Sequence, residues 1–208
     1  MPIQEPYLVP AVENHRIETV VARSRFIATV SPVTTIKEAK AFLARIRAEM
    51  PDASHHVYAF RVGYGASVTE GKSDDGEPSG TAGPPVLAIL RGSGIGDIAI
   101  VVTRYFGGTK LGTGGLVRAY SEATHVALNS LKTELKVEKK LIGIEMPYRL
   151  FELVKRLIFE YNGVIEDEDF AGDVTIMATF PAVDIAAFSS ALSDLSSGSI
   201  EPVFMDDD

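Results

Sequence analysis

Five glycines fall among the nine residues from Gly107 to Gly115, inside the stretch "VVTRYFGGTKLGTGGLVRAY" that runs from Val101 to Tyr120. Glycine loses more conformational freedom on folding than any other residue, so such a density answers a need that other residues cannot meet. Gly107, Gly108, Gly112, Gly114 and Gly115 stand between a β-branched run and an apolar helical stripe, with Arg104, Lys110 and Arg118 inside or beside them. Unpaired amides at a helix start, the helix dipole and missing Cβ atoms together suit an anion, and phosphate is the natural ligand. Close packing of a strand against a helix accounts for the glycines equally well. Specific nucleotide motifs fail: Leu111 follows Lys110 where a Walker A loop needs Ser or Thr, and Val117 stands where a dinucleotide loop needs its third glycine.

A second dense stretch, "KSDDGEPSGTAGPP", spans Lys72 to Pro85. Its carboxylates, Asp74, Asp75 and Glu77, are candidate ligands for Mg²⁺, a hard cation that favours oxygen donors. The favoured reading is a turn whose carboxylates bond backbone N–H groups or face solvent, and a further one is that they pair with Arg104, Lys110 or Arg118. His55 and His56 are adjacent on a strand-like run, so their side chains point to opposite faces and cannot both hold one ion. One is expected on the functional surface and the other in the core, and either is a candidate for moving a proton near neutral pH. The acidic run Glu166 to Asp169 reads as a solvated edge strand that would repel phosphate, so any RNA contact is expected mainly through the N-terminal domain or another face.

The elements that position these residues follow from periodicity. Ile17 to Ala22 and Phe26 to Val30 read as strands joined near Arg23 to Arg25, and a helix follows from the Thr35/Glu38 capping pair to a stop at Pro51. His55 to Val62 reads as a strand and Ser73 to Gly80 as a loop. Thr81 is the expected N-cap of a helix reaching about Leu90, with Pro84 and Pro85 in its first turn. Ile98 to Val102 is a continuous apolar run expected to be buried on both faces, Gly107 to Gly115 a loop, and Leu116, Tyr120, Ala123 and Ala127 one face of the next helix. From about Leu135 the pattern becomes strand, helix, hairpin, helix, strand, the βαββαβ order of a ferredoxin-like domain. Two domains are expected, residues 1–134 and 135–208, in an α+β (α/β sandwich) protein.

Composition narrows the chemistry. The 208-residue chain has no cysteine, which removes disulfides, thiolate nucleophiles and Cys-based metal sites. Its net charge of -8 is uneven: residues 1–134 carry 14 Lys+Arg against 13 Asp+Glu, whereas residues 135–208 carry 6 against 15. The N-terminus MPIQEPYLVP has neither a basic nor an apolar leader pattern, and no apolar run is long enough to span a bilayer, so a cytoplasmic protein without membrane contact is expected.

Four stretches carry a family resemblance: "SRF" at Ser24 to Phe26, "ASHHVYAFRVG" at Ala53 to Gly63, "SDDGEPSGTAGPPVL" at Ser73 to Leu87, and "VVTRYFGGTKLGTGGLVRAYSEA" at Val101 to Ala123. In order and spacing they resemble the IMPACT family. The resemblance implies a first domain of the ribosomal-protein and GHMP-kinase superfold, whose glycine-rich loop and helix hold phosphate in the kinases. It also implies a C-terminal ferredoxin-like domain similar to one in elongation factor G, as in bacterial members. The serines of the kinase loop are missing, which speaks against ATP-dependent phosphotransfer.

The expected function is that of a non-enzymatic RNA- or ribosome-linked binding protein near translation or its regulation. In it Arg104, Lys110, Arg118 and the amides of Gly107 to Gly115 contact phosphates. The alternatives are a Mg-dependent enzyme acting on a small phosphorylated ligand, with Asp74, Asp75 and Glu77 on the metal, and a protein-interaction module whose glycines serve packing. The enzyme alternative requires the acidic and glycine loops to face one another across a cleft.

Overall fold

The computed structural model describes residues 5–65 and 67–205; the acidic tail at 206–208, expected to be solvated, lies outside them. Contacts divide the chain into a unit of residues 7–136 and another that contains residues 137–205.

The first unit is built on a five-stranded antiparallel sheet. Its strands are β2 (His15–Val21), β3 (Ser24–Pro32), β4 (His55–Val62), β5 (Thr69–Ser73) and β6 (Ile98–Tyr105), in the order β2-β3-β6-β4-β5. β6 is central and apolar without alternation because both its faces are covered. Ile98, Ile100 and Val102 pack on one side with helices α2 (Gly83–Gly92) and α3 (Gly112–Asn129). Ala99 and Val101 pack on the other with α1 (Ile36–Glu49), through Ala39, Phe42 and Ile46. The expected burial of Ile98 to Val102 on both faces is what the strand shows. A separate ribbon pairs β1 (Tyr7–Pro10) with β7 (Thr133–Lys136). Neither of these short strands, nor edge strand β5, was expected. β5 reads "TEGKS" and has no apolar alternation, since its pairing comes from the β4 backbone rather than from a buried face.

Helix starts show where local signals hold and where they fail. Thr35 caps α1 as expected, accepting the Glu38 amide at 3.1 Å; the Glu38 carboxylate reaches the Thr34 amide at 2.7 Å rather than that of Thr35. Thr81 does not cap α2. Its hydroxyl donates to the Pro78 carbonyl at 2.6 Å, and the cap comes instead from Asp74, which accepts the amides of Ala82 at 3.0 Å and Gly83 at 2.8 Å with one oxygen. The other oxygen takes the Gly80 amide at 2.9 Å. The last helix, α3, begins at Gly112 rather than after Gly115, because packing of Leu116, Tyr120 and Ala123 on the sheet overrides glycine's poor helix propensity.

In the second unit the order is β8 (Lys139–Met146), α4 (Phe151–Glu160), β9 (Val164–Phe170), β10 (Val174–Pro181), α5 (Ile185–Ser196) and β11 (Val203–Met205). This is the expected βαββαβ sequence, folded as an antiparallel sheet in the order β11-β8-β10-β9. Ile142, Ile144, Ile176 and Phe180 form its core with Val154, Ile158, Phe188 and Leu192 of the helices. Glu166 to Asp169 lie on the edge strand β9, where water or Lys155 meets their charge.

Burial alone would push the Asp74 pKa up, but the amides of Gly80, Gly83 and Ala82 bring it below the usual carboxylate value. Its contribution to stability is therefore complete above the unfolded-state pKa and is lost as pH falls through the folded one. Asp74→Ala is expected to lower unfolding stability by about 1–2 kcal/mol at neutral pH. In urea titrations the gap between wild type and variant should shrink below about pH 4.

Candidate functional site

Three elements bring the candidate residues together: the acidic loop after β5, the end of central strand β6, and the start of α3. At their junction is a cluster joined by Glu77. Its Oε1 accepts from Arg104 Nη1 and from the Tyr120 hydroxyl, both at 2.7 Å, and lies 3.8 Å from His55 Nε2. All but His55 are buried: Glu77 is 8%, Arg104 6% and Tyr120 0% exposed. A buried carboxylate needs such partners, because an unpaired charge in this setting is strongly disfavoured. The Arg104 guanidinium lies between the rings of Phe26 and Phe106, at 5.4 and 5.6 Å, and its Nε has no hydrogen-bond partner. Burial first, and the bond to Glu77 second, push the Tyr120 phenol far above its ordinary pKa and keep it a donor.

The two histidines separate as strand geometry requires. His55 turns toward the acidic loop, with Nδ1 2.8 Å from the Asp75 carbonyl. His56 is buried against Thr103 Oγ1 at 3.1 Å, and burial lowers its pKa. The three acids separate as well. Asp74 caps α2, Asp75 pairs with Arg47 and accepts the His56 amide at 2.6 Å, and Glu77 holds Arg104. This corrects the expectation of a shared metal: the carboxylates are turned to different partners, and no group of three His, Asp or Glu side chains suited to a metal occurs among the described residues. The residues present do not fit Mg²⁺. The alternative that the acids neutralise the cations holds for Glu77 and Arg104 alone.

Above the cluster is a cavity of about 270 Å³ lined by Glu77, Arg104, Phe106, Lys110, Gly112 and Thr113 among others. The acidic and glycine loops thus face one another through Glu77 and Lys110. The first turn of α3 opens here with no side-chain cap and no acidic residue, so its amide dipoles are uncompensated. Lys110 has no ion-pair partner among the described residues. Arg118 is placed elsewhere: it is exposed one turn along α3, 3.4 Å from the Gly114 carbonyl, and lines a different hollow with Val21, Glu122 and His125. Arg104 is also not presented to a ligand as expected, being buried and held by Glu77.

The glycines turn out to serve different needs. A Cβ on Gly107 would stand 2.0 Å from the Arg23 carbonyl carbon, and its amide donates to buried Ser24 Oγ at 3.1 Å, so this position is a packing device. Gly112 enters the helix at φ +68°, and Gly108 also has positive φ. A Cβ on Gly115 would come 3.0 Å from Leu111 Cβ. Gly114 differs, since a Cβ there would meet nothing within 4 Å and its φ is not in the left-handed region. Neither packing nor backbone requires glycine at that point. Ser24 and Tyr120 escaped the sequence reading because a lone serine and a helix-stripe tyrosine carry no local mark of a distant partner.

Comparison with known proteins gives the family. The Impact N-terminal domain matches residues 22–128, and a domain of unknown function (DUF1949) matches residues 144–199. The chain is 40% identical to the IMPACT family member YigZ of Escherichia coli K12, over 95% of its own length and 97% of that relative's. The chain belongs to the IMPACT family. A Haemophilus influenzae IMPACT family member is 41% identical over 92% of this chain and 93% of its own. Among solved structures, one described as a hypothetical protein covers 99% of this IMPACT-family chain and 100% of itself, with TM-score 0.68 and 38% identity. Protein IMPACT of Bos taurus is more distant, 32% identical over 48% of this chain and 32% of its own length.

Two glycine substitutions separate a glycine required by packing from one that is not. Gly107→Ala is expected to destabilise by about 1–3 kcal/mol through the clash with Arg23. Gly114→Ala, by improving helix propensity, is expected to stabilise by about 0.5–1 kcal/mol. Thermal denaturation of the two variants checks both signs.

Proposed function

We propose that this IMPACT-family protein is a non-enzymatic RNA-binding protein of the cytoplasm, acting near translation or on the ribosome. The observation that carries the proposal is the uncapped start of α3, opening beside unpaired Lys110 into a hollow that a ligand can enter. Phosphate is the group such a place favours, since amide N–H groups and a helix dipole receive negative charge without a dedicated side chain. The contacts are Lys110 and the amides of Gly112 to Gly114. Arg104 supports them from below and Arg118 flanks them. The acidic second unit takes no part in phosphate contact. The link to translation is carried over from the IMPACT family.

The test is direct binding of single-stranded RNA by the full chain across a salt series. Lys110→Glu is expected to weaken binding at least tenfold at low salt and to flatten the salt dependence, while leaving thermal stability unchanged, because Lys110 is exposed and unpaired. Equal affinity and slope in wild type and variant would contradict the proposal.

One observation favours a second reading, of a site for a small phosphorylated ligand with or without turnover. Glu77 and Lys110 line the same cavity, whose volume of about 270 Å³ suits a small molecule. Native mass spectrometry of gently purified protein separates the two. A small ligand retained by wild type and lost in Lys110→Glu would favour this reading; RNA fragments lost in the same variant would favour the first.

A further inference from the structure

The turn between β2 and β3 has a backbone that its sequence does not favour. Val21 pairs with Ser24, so Ala22 and Arg23 form a two-residue hairpin turn, and their φ values are 46° and 68°. Such turns are normally made from Asn-Gly or Asp-Gly, because a Cβ at positive φ is crowded. An alanine and an arginine held there are strained, and strained residues that persist tend to mark functional positions.

Arg23 is also specifically placed. Its carbonyl carbon and oxygen lie 2.0 and 2.1 Å from where a Cβ of Gly107 would stand, which seats the turn against the glycine loop. Its charge is uncommitted. Arg16, Arg25, Arg47, Arg61, Arg91 and Arg104 each meet a carboxylate, whereas exposed Arg23, like Arg45 and Arg118, meets none among the described residues. Lys110, three residues beyond Gly107, is in the same condition. Two uncommitted cations therefore sit on two loops in backbone contact.

We propose that the β2–β3 turn is a second phosphate subsite with Arg23 as its cation, so that the ligand is single-stranded RNA laid across the turn and the glycine loop. This rests on the RNA-binding function proposed above. A lone phosphate needs only Lys110 and the α3 amides; a second cation on a neighbouring loop suits a chain of phosphates. Contacts of this kind follow the backbone and carry no base preference.

The experiment uses the full chain and a fluorescent oligouridine of about 12 nucleotides, titrated by anisotropy from about 50 to 300 mM salt. Arg23→Asn keeps the turn, because Asn accepts positive φ, and its Tm is expected to equal or exceed that of wild type. Its affinity is expected to fall about five- to tenfold at about 50 mM salt, with the slope of log K against log salt shallower by about 0.7, the share of one phosphate on a single strand. Arg45→Asn, which removes an arginine on α1 that lies over the Phe42 ring and makes no ion pair among the described residues, is expected to match wild type. Wild-type affinity and slope in Arg23→Asn, with binding lost in Lys110→Glu, would overturn the second subsite and leave the RNA-binding function standing. Absence of salt-dependent RNA binding in the wild-type protein would overturn both.

Discussion

The first unit depends on one buried carboxylate. Glu77 ties three segments distant in sequence: its own loop, Arg104 at the end of the central strand, and Tyr120 on α3. Removing one member of such a buried pair typically costs about 3–5 kcal/mol, because the other charge is left without a partner in a poor solvent for ions. The constraint reaches the surface. By fixing the acidic loop against the sheet, Glu77 lets neighbouring Asp74 cap α2 and Asp75 hold Arg47 and the His56 amide. The loop that looks like a metal site is a clamp whose acids have three separate structural tasks.

The same clamp explains why Arg104 is a floor rather than a ligand contact. Its charge is spent on Glu77, its faces rest on Phe26 and Phe106, and it carries the hollow in which α3 begins. What remains for an incoming anion is a set of backbone amides and a flexible lysine. Amides fixed by a helix are already oriented when a ligand arrives, and they lose little freedom on binding. Lys110 lines the same hollow and has no ion-pair partner among the described residues.

Charge is divided between the two units. The near-neutral first unit offers uncommitted cations around its glycine loop, whereas residues 135–208 carry 6 Lys+Arg against 15 Asp+Glu. The acidic second unit repels a polyanion, a repulsion that weakens as salt rises. Among the described residues no helix is long and apolar enough to cross a membrane.

Much of this was legible in the chain itself. Periodicity placed α1, β4, β6 and the whole βαββαβ unit, because those elements bury regular apolar faces and regular burial leaves a regular pattern. The motif from Arg104 to Tyr120 marked the right family. Strand alternation already parted His55 from His56. Short strands β1, β5 and β7 were not legible: β5 and β7 bury no regular apolar face, and the four residues of β1 are too few to show a period although Tyr7 and Val9 are buried. Tertiary structure alone decided which acid met which cation, that Asp74 rather than Thr81 caps α2, and that Arg118 lies outside the hollow. It also decided that Gly107 is needed for packing whereas Gly114 is not. The acid–cation pairs, the Asp74 cap and the Gly107 contact join residues 8 to 84 positions apart, and local sequence records what a residue prefers but not which distant partner the fold will bring to it.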